Sequence, residues 1–269
     1  MNELLEKKLS EEPKPWKRQL LAVLVVVLIL AWSSTSITYK GVSANGAALA
    51  GNILKGIFHP STDILFNLTT EGVAYLLLET ICIALLGTIM GSLIAVPFSF
   101  LASTKIMPKP VAWCGNVLIM LVRTIPAFVY GLMIIRVTGP GAYAGVLTMS
   151  ICSIGMVSKM YIENIENLDT SILDSLDAAG CTGFQKIRYG VLPQLFSNFV
   201  STAIYRFDIN LKDATVLGLV GAGGVGAPLI FAMNSYRWND VGALLLGLII
   251  LVLLVEYIST AIRTKLVRG

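Results

Sequence analysis

The sequence predicts an all-α integral membrane protein of about six transmembrane helices. Composition is the first reason: 55% of the 269 residues are hydrophobic and 13% are charged, against about 25% charged in a soluble domain. The mean hydropathy is +0.77. The second reason is the length of the uncharged runs. Stretches of 21, 25 and 22 residues at 19–39, 80–104 and 137–158 contain no Asp, Glu, Lys or Arg. At about 1.5 Å per residue each can cross a hydrocarbon core of about 30 Å. The third is that basic residues gather in alternate connections, as a fixed orientation in a bilayer requires.

Residues 1–18 form a polar tail that sets four glutamates against Lys7, Lys8, Lys14, Lys17 and Arg18. A basic stretch before an apolar one also suits a signal peptide. Because 19–39 ends in Trp32, Ser and Thr without a small-residue cleavage pattern, it is expected to be a retained first span. Residues 40–72 read as an outer loop lying on the membrane surface, with weak apolar periodicity at Leu49, Ile53, Leu54 and Ile57. The main membrane domain is expected over 73–265. Its first span starts near Val73 and runs to 104, with Glu79 near the interface. The next, 110–137, carries Arg123 and Arg136 and should kink at Pro126, which has no N–H to donate. A further span is expected at 137–158. Another enters at 190 and must stay helical through Arg206, Asp208, Lys212 and Asp213, followed by a glycine-rich apolar stretch at 214–229. The last covers 241–262, ahead of Arg263, Lys265 and Arg268. Six spans put the N-terminus, the Lys105/Lys109 loop, 170–193 and the C-terminus on one side. That side holds most of the basic residues, leaving Lys40, Lys55, Arg136 and Arg237 on the other, so the expected topology is N-in and C-in.

The longest polar interruption beyond the first hundred residues is LDSLDAAGCTGFQKIRYGVLP at 173–193. Ser171 with Asp174, and Thr182 with Gln185, each have the form of a capping box. Gly180 sits where a first helix should end in a positive-φ residue. Phe184, Ile187 and Val191 give a second helix an apolar stripe, and Pro193 suits the first turn of the span that follows. The expectation is two short helices with a bend, lying on the membrane surface and presenting one face to a soluble partner.

Asp174-Ser175-Leu176, Gly180 and Leu192-Pro193 resemble the cytoplasmic loop of binding-protein-dependent ABC importer permeases. That loop opens with Glu-Ala-Ala, continues to a glycine and closes on Leu-Pro or a near variant. Here Gly180 and Leu192-Pro193 match in kind and spacing, with three residues before Gly180 and eleven after it. Asp174 stands for the Glu, and Ser175-Leu176 for the two alanines. RTIPAFVYGLM at 123–133, GMVSKMYIENIE at 155–166 and YRFDINLKDATVLGLVGAGGVG at 205–226 resemble the permease subunit of phosphonate importers, and the likeness covers about 76–267. Phosphite and phosphate importers have near-identical permeases. The resemblance implies a methionine-importer type of fold, with five core spans plus one at the N-terminus, in a bacterial inner membrane. It implies a homodimer served by two ATP-binding subunits, which hold the ATP and Mg, and by a solute-binding protein outside. Phosphonate-type oxyanions would cross by alternating access. Asp174, Ser175, Leu176, Gly180, Phe184, Leu192 and Pro193 would couple the permease to its ATPase.

Nothing in the sequence points to bond chemistry. Gly221, Gly223 and Gly226 fit G-x-G-x-x-G, and Asp240 lies 19 residues after Gly221, but no strand is expected before them and no βαβ unit after. With Gly224 they read instead as an irregular turn at the outer end of two spans, an outer gate in the family likeness. The single histidine, His59, has no partner, and the dispersed Cys82, Cys114, Cys152 and Cys181 form no CxxC, which argues against a metal site or a disulfide framework. There is no P-loop, so ATP must be held by another subunit, with no cofactor on this chain. The net charge of +4 is spread through loops and does not form a nucleic-acid stripe.

The informative polar residues are the charges within spans, since one arginine or aspartate at a span centre costs roughly 2.5–3.5 kcal/mol on insertion scales. Asp208 and Lys212 are four apart and can pair. Arg206 and Arg123 have no obvious local partner: either they pair with Asp213 or Glu79, or they line the route of an anion together with Asp208, Lys212 and Asp213. A rival reading makes the chain an ion-coupled secondary carrier or membrane enzyme in which Asp208, Lys212 and Asp213 relay protons. The 174–193 loop separates the two readings, because a secondary carrier has no reason to keep it.

Overall fold

The computed structural model describes residues 16–36, 46–67 and 69–268. Most of the expected tail at 1–18, the last three residues of the expected first span (37–39) and the 40–45 part of the expected outer loop lie outside the described residues. The chain divides into two units, 1–50 and 51–269. The first holds α1 (Trp16–Ser36), whose Leu20–Ala31 stretch is apolar on every side, the pattern of a helix that spans a membrane. α2 (Gly46–Phe58) follows, a helix where the sequence shows only weak periodicity.

The second unit continues with α3 (Thr62–Leu65), α4 (Val73–Ala102), α5 (Lys109–Thr124), α6 (Ala127–Thr138), α7 (Ala142–Glu166) and α8 (Thr170–Ala178). α9 (Gly183–Lys186), a π-helical turn (Ile187–Val191), α10 (Leu192–Gly218), α11 (Gly226–Asn234) and α12 (Trp238–Arg268) complete it. No strand occurs among the described residues. Among the described residues four helices, α1, α4, α7 and α12, are long and apolar enough to cross a membrane, and α5 with α6 makes a fifth if the bent pair counts as one span. α10 has the length, 27 residues, but carries the charged cluster.

The expected kink at Pro126 is a full break. α5 and α6 meet at 82°. The helix ends because Ile125, the residue before proline, is extended (ψ 123°), and Pro126 (ψ 146°) then starts α6; proline disfavours helical backbone in its predecessor. The expected 137–158 span begins later, at Ala142, because Gly139-Pro140-Gly141 forms a turn with two positive-φ glycines. It also runs on to Glu166, past Lys159 and Glu163. The last span likewise exceeds 241–262 at both ends.

α4 and α7 form the central pair. Small residues line the seam: Gly87 and Gly91 of α4 sit directly against Met149 and Ser153 of α7, where no Cβ would fit. Such small-residue contacts let backbones approach where lipid offers no hydrophobic drive for association. Around the seam, one apolar cluster at the 170–193 end joins Val157, Tyr161, Ile165, Val191, Leu195 and Phe199. There Tyr161 stacks on Phe199 at 3.9 Å between ring centroids. A second cluster at the opposite end joins Val73, Leu76, Leu229, Val241 and Leu244.

Candidate functional site

The 170–193 stretch is a bent pair of short helices, as expected, but its start differs. Asp169 caps α8 by accepting the Ser171 N–H at 3.0 Å, so Ser171 lies inside the first turn and the expected Ser171/Asp174 box does not form. The same bond holds the Asp169 carboxyl below its ordinary range. α8 ends as foreseen. Gly180 has φ +74°, the Gly180 N–H donates to Asp177 O at 2.9 Å, and the Cys181 N–H donates to Leu176 O at 3.0 Å, the paired bonds of a Schellman motif. Gln185 Oε1 accepts the Thr182 N–H at 2.8 Å, completing the second expected box. Lys186 pairs with Asp177 across the bend.

Beyond Lys186 there is no separation between the second short helix and the next span. Backbone stays helical from α9 through the π-helical turn into α10. The wide turn accommodates Pro193, which can neither donate nor tolerate a carbonyl four residues back. Gln194 Nε2 donates to Gly190 O at 2.7 Å. Leu176 packs where a Gly190 side chain would stand, seating α8 on the turn. Asp174, Ser175 and Pro193 are exposed, and Leu192 is 40% exposed. Phe184 is 71% and Tyr189 67% exposed, so the bend presents aromatic surface beside acidic and hydroxyl groups.

At the opposite end, Gly221, Gly223 and Gly224 all have positive φ, while Gly226 opens α11. The turn is tied down on two helices: the Gly141 N–H donates to Gly221 O at 2.8 Å, and the Val225 N–H donates to Thr80 Oγ1 at 3.0 Å. Two helices and no strand flank it, so it has no dinucleotide-binding context.

α10 carries its charges on two faces. Arg206, 5% exposed, reaches toward α7: Nε donates to Ser153 Oγ at 3.3 Å and Nη1 to Met156 Sδ at 2.9 Å. Its only carboxylate among the described residues is Asp213 at 3.9 Å, beyond hydrogen-bond reach. Asp208 and Lys212 pair at 3.3 Å as expected, on a face toward α12, where Lys212 also meets Glu256 at 3.3 Å. Asp213 and the Asp208–Lys212 pair thus lie on different faces and form no continuous relay. Arg123 is apart from all of these, its stem against Gly155. No carboxylate lies within 4.0 Å of it among the described residues, so the expected alternative pairing with Glu79 is not made.

The sequence reading missed Asn210, Thr88, Ser153 and Glu256. Asn210, fully buried, donates to Thr88 Oγ1 at 2.8 Å and to Ser153 Oγ at 2.7 Å, joining α4, α7 and α10 through polar groups beside Arg206. Glu256 had a signal: it is the one acidic residue inside 241–262, and such a residue normally has a partner.

Residues 95–269 match the family model described as the binding-protein-dependent transport system inner membrane component. The chain belongs to this permease family. Over 188 residues the permease is 33% identical to the phosphite transport system permease protein PtxC of Stutzerimonas stutzeri, covering 70% of this chain and 68% of that one. It is 29% identical over 190 residues to the phosphate-import permease protein PhnE of Mycolicibacterium smegmatis, covering 70% of this chain and 36% of that protein. The permease shares its fold with a solved structure of the MetNI methionine ABC transporter in an inward-facing conformation, at a TM-score of 0.63 and 20% identity, covering 72% of this chain and 95% of that one. As a member of this family it is a multi-pass membrane subunit that works with an ATP-binding subunit and a solute-binding protein, and it has no ATPase site of its own.

Proposed function

We propose that this permease carries a small phosphorus oxyanion, such as phosphite, a phosphonate or phosphate, inward by alternating access, driven by ATP hydrolysis on its partner subunits. The observation that carries the reading is Arg206: a guanidinium buried between α10 and α7, held by a hydroxyl and a thioether, with its nearest carboxylate among the described residues at 3.9 Å. Its ion pair with Asp213 is loose, without a hydrogen bond at 3.9 Å, so a second anion can compete for it, and its planar donor fork suits two oxygens of a tetrahedral anion. The names of the relatives, a phosphite permease and a phosphate-import permease, support the same substrate class. Two copies of this chain would enclose the route. The 170–193 stretch, with Asp174, Ser175, Leu176, Gly180, Phe184, Leu192 and Pro193, would dock on the ATP-binding subunits from the cytoplasm, with both termini on that side. The glycine turn at 221–226 would belong to the outer gate.

The proton-relay reading is not favoured, because Asp213 sits with Arg206 and away from the Asp208–Lys212–Glu256 group. The test is uptake by the complex reconstituted with its ATP-binding and solute-binding partners. ATP-dependent accumulation of phosphite, methylphosphonate or phosphate is expected. Accumulation driven by a proton gradient without ATP would overturn the proposal.

A further inference from the structure

On α7, Cys152, Met156, Lys159 and Glu163 recur at three- and four-residue steps and so share one face. α10 borders this face on one flank, where Arg206 touches Ser153 and Met156. α5 borders the other. There the Arg123 stem lies in a notch at Gly155: a Cβ at that position would stand 2.8 Å from Arg123 Cγ. The break at Ile125–Pro126 carries α6 off toward Thr148 and Leu217, which its Gly131 faces, and leaves Lys159, three turns further along α7, uncovered by it.

Between α5 and α7 lies a cavity of about 230 Å³ lined by Asn116, Ile119, Met120, Arg123, Thr124 and Lys159. Its lining holds two cations and no carboxylate. Among the described residues Lys159 has one acidic neighbour, Glu163 at 3.6 Å, and both side chains are about half exposed, so the pair is weak and open to competition. The Asn116 amide nitrogen is committed to Ala102 O and Ala112 O at 2.7 and 2.9 Å. The Thr124 hydroxyl donates to Leu121 O at 2.8 Å, so recognition of a ligand falls to Arg123 and Lys159.

We propose that this cavity is a second, transient station for a free tetrahedral phosphorus oxyanion, with Arg123 supplying the planar fork and Lys159 a mobile point charge. The proposal rests on the importer reading above and extends it with Lys159 and Gly155. Met156, which touches Arg206, and Lys159 are about 4.5 Å apart along the α7 axis. An anion leaving Arg206 toward the 170–193 end meets this pocket next. A route with several weak sites lets each one release what it binds, which a single deep site does not.

The test is direct. In the assembled complex, amine acylation of Lys159 is measured by mass spectrometry in millimolar phosphite or phosphate against chloride at equal ionic strength. At least threefold protection of Lys159 is expected, with none at the exposed Lys265, and both R123Q and G155L should abolish it. In the reconstituted importer K159Q should lower uptake per complex about tenfold, and K159R should restore most of it. Absence of protection in the wild-type complex overturns the site whatever the importer carries. Protection by phosphatidylglycerol micelles alone assigns the pocket to a lipid headgroup and also overturns it. Wild-type uptake by K159Q places the pocket off the route, against the proposal. Intact protection in a complex that imports no phosphorus oxyanion supports the site and overturns the importer reading instead.

Discussion

Replacing Gly180 tests whether the bend between α8 and α9 carries the coupling to ATP. Gly180 sits at φ +74° and no atom lies within 4 Å of where a Cβ would stand, so a side chain there meets open space. The penalty of substitution is therefore backbone strain alone. For a non-glycine residue in this region it is roughly 1–2 kcal/mol, and up to about 3 kcal/mol where a poorly suited residue is forced to stay. If the chain escapes by opening the turn, it loses the two Schellman bonds and the Lys186–Asp177 pair, and Leu176 leaves Gly190. At about 1.4 kcal/mol per factor of ten, the folded bend becomes roughly 5- to 150-fold rarer relative to opened forms. Asparagine tolerates positive φ and valine does not, so uptake should fall in the order Gly, Asn, Ala, Val. The assay is ATP-dependent uptake by the reconstituted complex, normalised to assembled permease. Gly180→Val should lose nearly all uptake, Gly180→Asn should keep most of it, and insertion and abundance should be near normal in each. Uptake by Gly180→Val at the wild-type rate would refute the coupling role. A Gly180→Asn variant as defective as Gly180→Val would refute the conformational explanation.

Three further outcomes are expected. In a background lacking Cys82, Cys114, Cys152 and Cys181, a cysteine at the exposed Asn234 should react with an impermeant reagent added outside cells, whereas one at the exposed Thr182 should not; labelling of Thr182 from outside would reverse the orientation. Arg206→Lys and Arg206→Ala should both keep normal abundance and lose most uptake per complex; loss of abundance by Arg206→Ala with full uptake by Arg206→Lys would reduce Arg206 to a structural pairing. Asp169, whose carboxyl is held below its ordinary value of 3.8 by the Ser171 N–H, should stabilise the start of α8 fully above that value and lose the contribution as pH falls through its lowered folded-state value; Asp169→Asn should abolish this acid dependence while leaving protection of the α8 amides near neutral pH unchanged in hydrogen exchange.

The sequence by itself determined whatever rests on composition or on neighbours along the chain. Apolar runs longer than a bilayer is thick marked the spans. Gly180 announced its positive φ, Thr182 and Gln185 their capping, and Asp208 and Lys212 their pairing, because each of these acts within one turn or one bend. Local reading also misjudged several boundaries, and two of them have a clear local cause. Pro126 ended a helix it was expected to kink, because the restriction falls on Ile125 before it; Asp169 took the capping role from Ser171, because a carboxylate one residue outside the helix reaches the free N–H groups. What only the tertiary structure decided is which side of each span faces which neighbour. Asn210 bonds to Thr88, 122 residues away, Lys212 meets Glu256, and Arg123 lies in the notch at Gly155. In a soluble helix the polar face marks solvent and the apolar face marks the core. A membrane helix lacks that contrast, because lipid is as apolar as the protein interior, and the pattern that would reveal packing from sequence is absent until the helices are placed together.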